Sequence, residues 1–456
     1  MKKLLIIATL AAVGMGACSK DDGVSAPEDL RKYVQVTIPE NAASGETRTS
    51  VDGTTTSWVA GDKVAVSLYN GSTTEVCEFT ADKSGATTTF SGSVPVGSYT
   101  CAAAHYPFCA ATFDAINKTF THTWGDAYCS TDLAAYDFMF STVYETPFVV
   151  DETTTVLPIA LTFRPLMARI GMKLALGANE TPKYVTFTTD DNVLPTAGTV
   201  NADGTFSASA LTNLLTVETD RKEFTVGLLP VGVASKMSVH VTTTDGMTYS
   251  DKSFQLAGLK RNTHYTMNVP CRTKRFMLTV PDGVDTKYGT GTYKNNEFYS
   301  VDPATDPTGI FKDWYFYRAE LKNTTNTASG DELKGKNRIQ LQVDLGFNNS
   351  NNGAFVTAPI QCDGTKTVTV SFTAATNRAI DANYWIGVTD NGPITSDWLR
   401  DINKISPHAE GSIPMSGNVS HSHTFTVTNG QRIMVKVSNT GGAHHLEFAD
   451  FTYTVE

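Results

Sequence analysis

Apolar residues recur at every second position in many short runs of this chain, and this period restricts the fold more than any other feature. Val34, Val36 and Ile38 alternate with polar residues, and the same alternation recurs in residues 64–68, 224–228, 237–241, 368–372 and 433–437. The runs are rich in threonine and β-branched residues and are bounded by Gly, Asp and Asn. Such runs predict strands with one buried and one solvated face. The expected class is all-β, built from antiparallel sandwiches.

Two departures from the alternation are informative. The apolar residues of 446–448 and 451–455 have opposite parity, which predicts a β-bulge near Ala449 and Asp450, because one extra residue turns the following side chains to the other face. Residues 208–217 and 395–405 are the stretches in which a short helix or turn is expected.

Length, composition and charge exclude several classes of protein. The 456 residues suggest about two to four domains. Charged residues make up 18%, the net charge is −10 and no block of like charge occurs, so a nucleic-acid-binding protein is not expected. A hydrophobic content of 41% argues against a disordered chain. Apart from residues 4–13, no apolar run approaches the ~18 residues of a spanning helix, which excludes a polytopic membrane protein.

The N-terminal residues predict export and a lipid anchor. Lys2 and Lys3 precede an apolar stretch at 4–13, which is typical of a secretory signal. Met-Gly-Ala-Cys at 15–18 resembles a bacterial lipobox, which implies removal of residues 1–17 and acylation of Cys18, with palmitate among the chains. Ser-Lys-Asp-Asp at 19–22 resembles the export signal that sends lipoproteins of some Gram-negative anaerobes to the outer face of the outer membrane. A solvated acidic tether is the alternative for this run.

Turn-forming Gly, Pro and Asp residues mark the expected boundaries in the rest of the chain. Residues 18–30 are expected to form a tether, 31–161 a first β-sandwich, 162–272 a second β-sandwich and 273–456 a third unit. The third unit is rich in asparagine and holds three of the five tryptophans and five of the nine histidines. Its different composition predicts a different role.

Six cysteines remain after Cys18, at positions 77, 101, 109, 129, 271 and 362. Their spacing matches no zinc motif. Export permits disulfides, and four of the six lie between residues 77 and 129, so one or two local bridges are one interpretation. Small buried thiols are the other.

Three stretches between residues 31 and 272 form a pattern through their order and spacing. The first is Thr-Arg-Thr at 47–49, followed by Trp-Val-Ala-Gly-Asp-Lys-Val-Ala-Val at 58–66. The second is Leu-Thr-Phe-Arg-Pro-Leu-Met-Ala-Arg-Ile at 161–170. The third joins Leu-Pro at 229–230, Asp-Gly-Met-Thr-Tyr at 245–249 and Leu-Lys-Arg-Asn-Thr-His-Tyr-Thr at 259–266. In their order and spacing these stretches resemble the fimbrillin family of surface lipoproteins, and the lipobox and the export signal fit the same family.

The resemblance implies two tandem transthyretin-like β-sandwiches and a role in fimbriae or adhesion. It also implies that an arginine-specific protease cuts the N-terminal region, which removes a strand and opens a groove for a strand from another fimbrial subunit. Arg31 and Arg48 are the candidate cleavage sites, and an ordinary solvated arginine is the alternative for each. Stalk pilins of the family end soon after the second domain, whereas here residues 273–456 follow. This departure favours a fimbrium tip or accessory subunit, or a lipid-anchored protein that does not polymerise.

The C-terminal unit resembles, at the level of fold alone, the jelly-roll, galactose-binding-like modules of carbohydrate-binding proteins. Aromatic planes stack on sugar rings, while Asn, Asp and Arg bind the hydroxyls. The candidate glycan-binding residues are therefore Asn383, Tyr384, Trp385, Asp390, Trp398, Arg400 and, upstream, Trp314. Burial in the core is the alternative for each ring, because Trp385 alternates with Ile386 and one of the two must face inward. The expected partner is a host or bacterial surface glycan or protein.

No metal, cofactor or catalytic centre is predicted. His421 and His423 share a strand face and His444 adjoins His445, which could supply part of a zinc site, but satisfied histidines are the favoured interpretation. The aspartates at 282, 285, 302 and 306 do not match a calcium loop. The motifs Gly-x-Ser-x-Gly, His-Glu-x-x-His and the phosphate-binding glycine loop do not occur, so an enzyme such as a glycoside hydrolase is the least favoured hypothesis.

Overall fold

The computed structural model describes residues 30–38, 58–85, 87–136, 138–256, 258–279, 285–288, 298–300, 311, 313–323, 333, 335–342, 352–376, 382–390, 404–413, 418–439 and 445–456. Almost every element in these residues is a strand, and the one helix, α1, spans Leu133–Tyr136. Among the same residues, no helix has the length and hydropathy of a membrane span. The predicted all-β class is confirmed.

The N-terminal part of the chain contributes the strands β1 Arg31–Ile38, β2 Lys63–Tyr69, β3 Thr74–Ala81, β4 Thr88–Pro95, β5 Gly97–Tyr99, β6 Cys101–Tyr106, β7 Thr112–Asp114, β8 Thr119–Thr123, β9 Met139–Ser141, β10 Phe148–Val150 and β11 Phe163–Pro165. A seven-stranded antiparallel sheet has the order β1-β4-β3-β2-β6-β9-β11, while β5 and β10 pair separately. The alternating apolar residues of β1, β2 and β3 lie in the first hydrophobic core, around the fully buried Trp58. The Trp58 ring meets those of Phe90, Tyr106 and Phe163 edge-on, at centroid distances of 4.9, 5.5 and 5.6 Å.

The middle part contributes the strands β12 Ala168–Leu174, β13 Pro182–Thr189, β14 Leu194–Asn201, β15 Phe206–Thr212, β16 Leu214–Glu218, β17 Glu223–Leu228, β18 Ser235–Thr243, β19 Thr248–Leu256 and β20 His264–Val269. β12 lies between β17, which is antiparallel to it, and β20, which is parallel. A four-stranded sheet has the order β15-β14-β8-β7, and β16-β13-β18-β19 begin an eleven-stranded sheet.

The expectation of a helix or turn at 208–217 is wrong. In β16 buried Leu215 and Val217 alternate with exposed residues, which is the period of a strand.

The second hydrophobic core crosses the predicted boundary between residues 161 and 162. Phe120 and Phe140 from the first unit lie in it together with Ile170 and Val226 from the second. β8 also pairs with β14 across that boundary. The two units therefore share a core and a sheet, and the boundary itself stays a prediction.

The C-terminal part contributes the strands β21 Lys274–Met277, β22 Asp285–Tyr288, β23 Phe298–Ser300, β24 Tyr315–Tyr317, β25 Ala319–Lys322, β26 Arg338–Gln342, β27 Ala354–Val356, β28 Thr365–Thr376, β29 Ala382–Thr389, β30 His408–Ile413, β31 Val419–Thr428, β32 Arg432–Asn439 and β33 His445–Val455. One sheet has the order β23-β24-β27-β32-β29-β30, and β28, β31, β33, β26, β25 and β22 lie in the other. Side chains of both sheets, such as Ile386 and Phe448, meet in the third hydrophobic core. The predicted sandwich-type sheets are confirmed, and two sheets of the third unit face each other across this core.

A continuous sheet joins the second unit to the third. β21 pairs with β19 on one edge and with β33 on the other, which completes the eleven-stranded sheet.

The β-bulge predicted near Ala449 and Asp450 is present. The register of β28 and β33 shifts between Ser371 and Thr373, and Asp450 on β33 has a φ of +52°.

Candidate functional site

The first strand contributes its inward face to a hydrophobic core and its backbone to the edge of a sheet. Val34, Val36 and Ile38 have no exposed surface and lie in the first core. β1 pairs with β4 along all 8 of its residues. On its other edge, Gln35 exchanges backbone hydrogen bonds with the segment at 155–157. Burial of such a side chain contributes roughly 1.5–3 kcal/mol, so removal of β1 would leave an apolar groove beside an unpaired sheet edge.

The two candidate cleavage sites differ in their position relative to β1. Arg31 is the first residue of the strand, and its Nη1 lies 3.0 Å from Glu75 Oε1. A cut after Arg31 would therefore leave the rest of β1 attached. Arg48 lies outside the described residues, in the sequence between β1 and Trp58. A cut there would separate all of β1 from the chain that follows.

The C-terminal strand is paired on both edges. Residues 446–455 of β33 pair with β28 on one edge. On the other edge, residues 445–449 pair with β26 and residues 452–455 pair with β21. Leu446, Phe448 and Phe451 of this strand have no exposed surface. β33 is therefore a central strand of the third unit, and its backbone groups are already used.

A buried ion cluster joins the second unit to the third. The Lys274 side chain is 1% exposed, and its Nζ lies 2.8 Å from Glu180 Oε1 and 2.9 Å from Asp245 Oδ2. Nζ also donates to the Gln361 carbonyl oxygen. The Tyr249 hydroxyl donates to Glu180 at 2.6 Å, and burial raises the pKa of Tyr249. The tyrosine hydroxyl and the Gln361 N–H group, which donates to Asp245 at 3.2 Å, offset the second negative charge.

Asp363 makes a second polar contact across the same junction. Its carboxylate accepts hydrogen bonds from the backbone N–H groups of Ala178 at 2.6 Å and Asn179 at 3.2 Å. These two donors lower the pKa of Asp363. With the ion cluster and the continuous sheet, this contact makes the junction a packed interface between the units rather than a linker.

Two of the predicted glycan-binding rings are buried. Trp314 has no exposed surface, and its ring centroid lies 4.9 Å from that of Phe276. Tyr384 has no exposed surface either, and its hydroxyl lies 2.8 Å from His423 Nε2 in a hydrogen bond. Neither ring can stack on a sugar from this position. The sequence expectation is corrected for these two residues, since the hydrophobic core holds their rings.

Trp385 and Asn383 lie on the opposite face of the same strand. Both are partly exposed in β29, where they alternate with the buried Tyr384 and Ile386. Trp385 packs against a small apolar cluster that contains Met434. The structure therefore brings these two predicted residues together on the outer face of the sandwich.

The other predicted glycan-binding residues are farther along the chain. Asp390 follows β29 and accepts a hydrogen bond from Gln431 Nε2 at 3.2 Å. Trp398 and Arg400 lie outside the described residues.

The histidines weighed as metal ligands pack against other side chains. The rings of His421 and His423 stack at a centroid distance of 6.2 Å, and burial lowers the pKa of both. His445 Nε2 lies 3.7 Å from Glu447 Oε1. In the part of the chain that the structure describes, no group of three or more His, Cys, Asp or Glu side chains could hold a metal ion. His444 and the aspartates at 282, 302 and 306 fall outside it, and of Asp285 it gives the backbone alone.

The six cysteines, all within the described residues, form no disulfide bond. Cys77 lies in the first core, whereas Cys101 and Cys129 lie in the second. Burial raises the pKa of Cys129. The interpretation as local bridges between residues 77 and 129 is therefore corrected. The interpretation as small buried thiols applies to five of the six cysteines, since Cys109 is partly exposed.

Sequence reasoning missed the ion cluster. Lys274 has the same strand parity as Phe276 and Leu278, both of which are buried. A lysine at a core position was the available signal, because lysine is almost never fully buried without a partner. The partners Glu180 and Asp245 belong to the second unit, and no local pattern points to them.

Comparison with known proteins identifies the family. A model of the fimbrillin-like family matches residues 47–282, which is more than half of the chain. This chain belongs to the fimbrillin-like family. The resemblance drawn from the three stretches is thereby confirmed, and this fimbrillin-like chain is an adhesion-related protein of the cell surface.

Solved structures similar to the fimbrillin-like chain include two candidate cell adhesion proteins. One, from Bacteroides uniformis, is 17% identical, and the match covers 54% of this chain and 94% of that chain with a TM-score of 0.35. Another, from Bacteroides ovatus, is 16% identical over 53% of this chain and 92% of that chain, with a TM-score of 0.31. A CBM4 structure matches at 15% identity over 37% of this chain and 99% of that chain, with a TM-score of 0.23. Curated proteins gave no match.

Proposed function

We propose that this protein is a surface-anchored tip or accessory subunit of a fimbrium. Its first unit accepts a strand from another fimbrial subunit in the place of β1. Its third unit meets the surface to which the cell adheres. Acylated Cys18 anchors the chain to the outer face of the outer membrane before assembly.

The pairing of β33 is the observation that carries this proposal. A subunit in the interior of a head-to-tail polymer must accept one strand and donate another. Donation of β33 would break its pairing with β28, β26 and β21 and would open the third core. A subunit that accepts without donating its C-terminal strand ends a polymer, which is the position of a tip.

The placement of β1 supports the part of the proposal in which the first unit accepts a strand from another subunit. The strand occupies the edge of its sheet and fills the first core with three alternating side chains. An incoming strand with the same alternation of apolar and polar residues would restore both the backbone pairing and the burial. Arg48 follows β1 in a run of Gly, Glu, Thr and Ser with no apolar pattern, which suits an accessible cleavage site.

Limited trypsin digestion of residues 19–456 tests the proposal. We expect one early cut after Arg48, detected by mass spectrometry. Removal of the β1 peptide should then create saturable binding of a labelled peptide with the sequence of residues 31–38, measured by fluorescence anisotropy. The variant Arg48→Gln should block both effects, whereas Arg31→Gln should leave them intact.

Three results would contradict this function. Resistance at Arg48, or a cut with no gain in peptide affinity, leaves a monomeric anchored adhesin. Polymers of the cut protein with itself in size-exclusion chromatography would show that it donates a strand, which makes it a stalk subunit.

Glycan capture by the third unit is a second candidate function. The observation that favours it is the partly exposed Trp385 beside Asn383 on the outer face of β29. A glycan array probed with the full exported chain and with Trp385→Ala tests it. Glycan binding that does not depend on Trp385 would show that the sugar does not stack on this ring.

A further inference from the structure

The outward face of the long sheet forms a groove where the second and third units meet. β13, β18, β19, β21 and β33 lie side by side there, and the space above them has a volume of about 800 Å³. Each of the five strands contributes to the lining, through Tyr184, His240, Thr248, Arg275 and Thr454.

This groove is basic within an acidic protein. Lys183 and Arg275 line it, and among the described residues no Asp or Glu does, although the chain carries a net charge of −10. Lys183 Nζ lies 5.0 Å from the centroid of the Tyr184 ring. Arg275 is exposed, and no carboxylate of the described residues pairs with it. One neighbouring acid, Glu218, lies outside the lining on β16, opposite Tyr184.

Two irregularities in the strands shape the floor of the groove. The pairing of β13 with β18 shifts between Pro182 and Tyr184, so that both Lys183 and Tyr184 contribute to the lining. The pairing of β18 with β19 shifts between Val239 and Val241, on either side of His240. Such bulges re-aim side chains and occur frequently beside functional sites.

Hydroxyl groups cover the floor between the two cations. The Oγ1 atoms of Thr242 and Thr248 lie 2.9 Å apart, and Ser250 Oγ lies 2.8 Å from His240 Nδ1. A hydroxyl has one donor and two acceptor sites. These pairs therefore leave acceptor sites for the hydroxyl groups of a ligand.

We propose that this groove binds an acidic oligosaccharide. Arg275 and Lys183 bind its carboxylate or sulfate groups, the threonine hydroxyls accept hydrogen bonds from its hydroxyls, and the Tyr184 ring packs against a sugar ring. An extended peptide cannot add as a strand here, because the backbone groups of a sheet face are used in the ladders. The proposal does not rest on strand acceptance, and its residues differ from Trp385 and Asn383.

Isothermal titration of residues 19–456 tests the proposal, with trigalacturonate, 3′-sialyllactose and a chondroitin sulfate tetrasaccharide as probes. We expect saturable binding of at least one probe, weakened at least tenfold by Arg275→Gln and by Tyr184→Ala. Raising the salt concentration should weaken binding as well. Lys236→Gln is the matched control, since Lys236 is exposed on β18 outside the groove. Trp385→Ala should also leave binding unchanged, and circular dichroism checks that each variant is folded.

Four results would overturn the proposal. The first is no saturable binding of any probe at millimolar concentration, and the second is unchanged affinity of Arg275→Gln. Equal affinity for the neutral methyl ester of trigalacturonate would remove the role of charge. Equal affinity for a hexaglutamate peptide would assign the groove to acidic peptides instead.

Discussion

At the scale of single residues, buried ionisable groups decide where this chain is sensitive to pH and to substitution. His105 is fully buried in β6, where its ring stacks on Phe138 at 5.7 Å and its Nε2 lies 3.3 Å from the Cys109 carbonyl oxygen. Burial lowers the pKa of His105 to about 4, and the nearby His122 acts in the same direction. The imidazole is therefore neutral in the folded protein at pH 5–6, where an unfolded histidine with a pKa near 6.5 is largely protonated.

We expect the free energy of unfolding to fall as the pH decreases from about 6.5 to about 4, because the unfolded chain binds a proton that buried His105 does not. Above this window the contribution is fully present. The variant His105→Gln should lose about 2–3 kcal/mol of this pH dependence. Urea unfolding of both proteins at pH 7.5 and pH 4.5 measures the change.

The control for this prediction is His264→Gln, at an exposed position. It gives the reference for the effect of replacing an exposed histidine by glutamine. A pH-independent difference for His105→Gln as well would show that the His105 imidazole takes up its proton inside the fold.

Lys274 allows a second prediction at this scale. Lys274→Met removes the cation between Glu180 and Asp245, and both carboxylates stay buried. We expect a loss of about 3–5 kcal/mol in the free energy of unfolding, as for other broken buried ion pairs. Lys336→Met, which breaks a surface pair with Asp450, should cost less than about 1 kcal/mol. Urea denaturation compares the two, and equal small losses would mean that water reaches the cluster.

At the scale of elements, β1 and β33 have opposite properties although both obey the same period-two pattern. β1 is an edge strand with a short bridge on its outer side, whereas β33 has full ladders on both edges. Edge strands can be exchanged at low cost, while a central strand can leave only with its core. This difference underlies the proposal that the chain accepts a strand and does not donate its own C-terminus.

A pair of adjacent substitutions tests how β1 is held. Val36→Asp places a charge in the first core, whereas Thr37→Asp places the same charge on the exposed face. We expect the amides of residues 31–38 to exchange with deuterium at least tenfold faster in Val36→Asp and to be nearly unchanged in Thr37→Asp. Hydrogen exchange with mass spectrometry measures this. Equal exchange in the two variants would mean that backbone pairing alone holds the strand.

At the scale of the whole molecule, the junction makes the second and third units one body. The continuous sheet, the ion cluster and the Asp363 contact all cross it. Because the C-terminal strand also completes this sheet, the two ends of the third unit are both tied to the second. The third unit is thus held in a fixed direction relative to the second unit.

Deletion of residues 445–456 tests the structural role of β33. Without this strand, β28 and β26 lose a shared neighbour and the third core is opened. We expect loss of the cooperative thermal transition of the third unit and a red shift of tryptophan fluorescence, because Trp314 becomes exposed. Deletion of residues 19–29 is the control and should change neither signal. An unchanged transition in the β33 deletion would show that the strand is dispensable and therefore available for donation.

Much of the fold could be predicted from the chain alone, because strand period and turn residues are local properties. The strands at residues 34–38 and 433–437 and the bulge at Asp450 follow from parity. The helix or turn expected at 208–217 failed because alanine and leucine suit either state, and tertiary pairing with β14 and β13 decided for strands. Trp385 and Tyr384 show the same limit at the site, since alternation says that one face is buried but does not say which.

Local sequence patterns were enough to predict the all-β class, the family resemblance and the leader, because each rests on neighbouring residues. Three other properties are visible only in the folded chain: the buried partners of Lys274, the double pairing of β33, and the basic groove shared by Lys183 and Arg275. Each of these brings together residues that are distant in the chain. Their proximity depends on strand order and register, which long-range packing sets and no local pattern encodes.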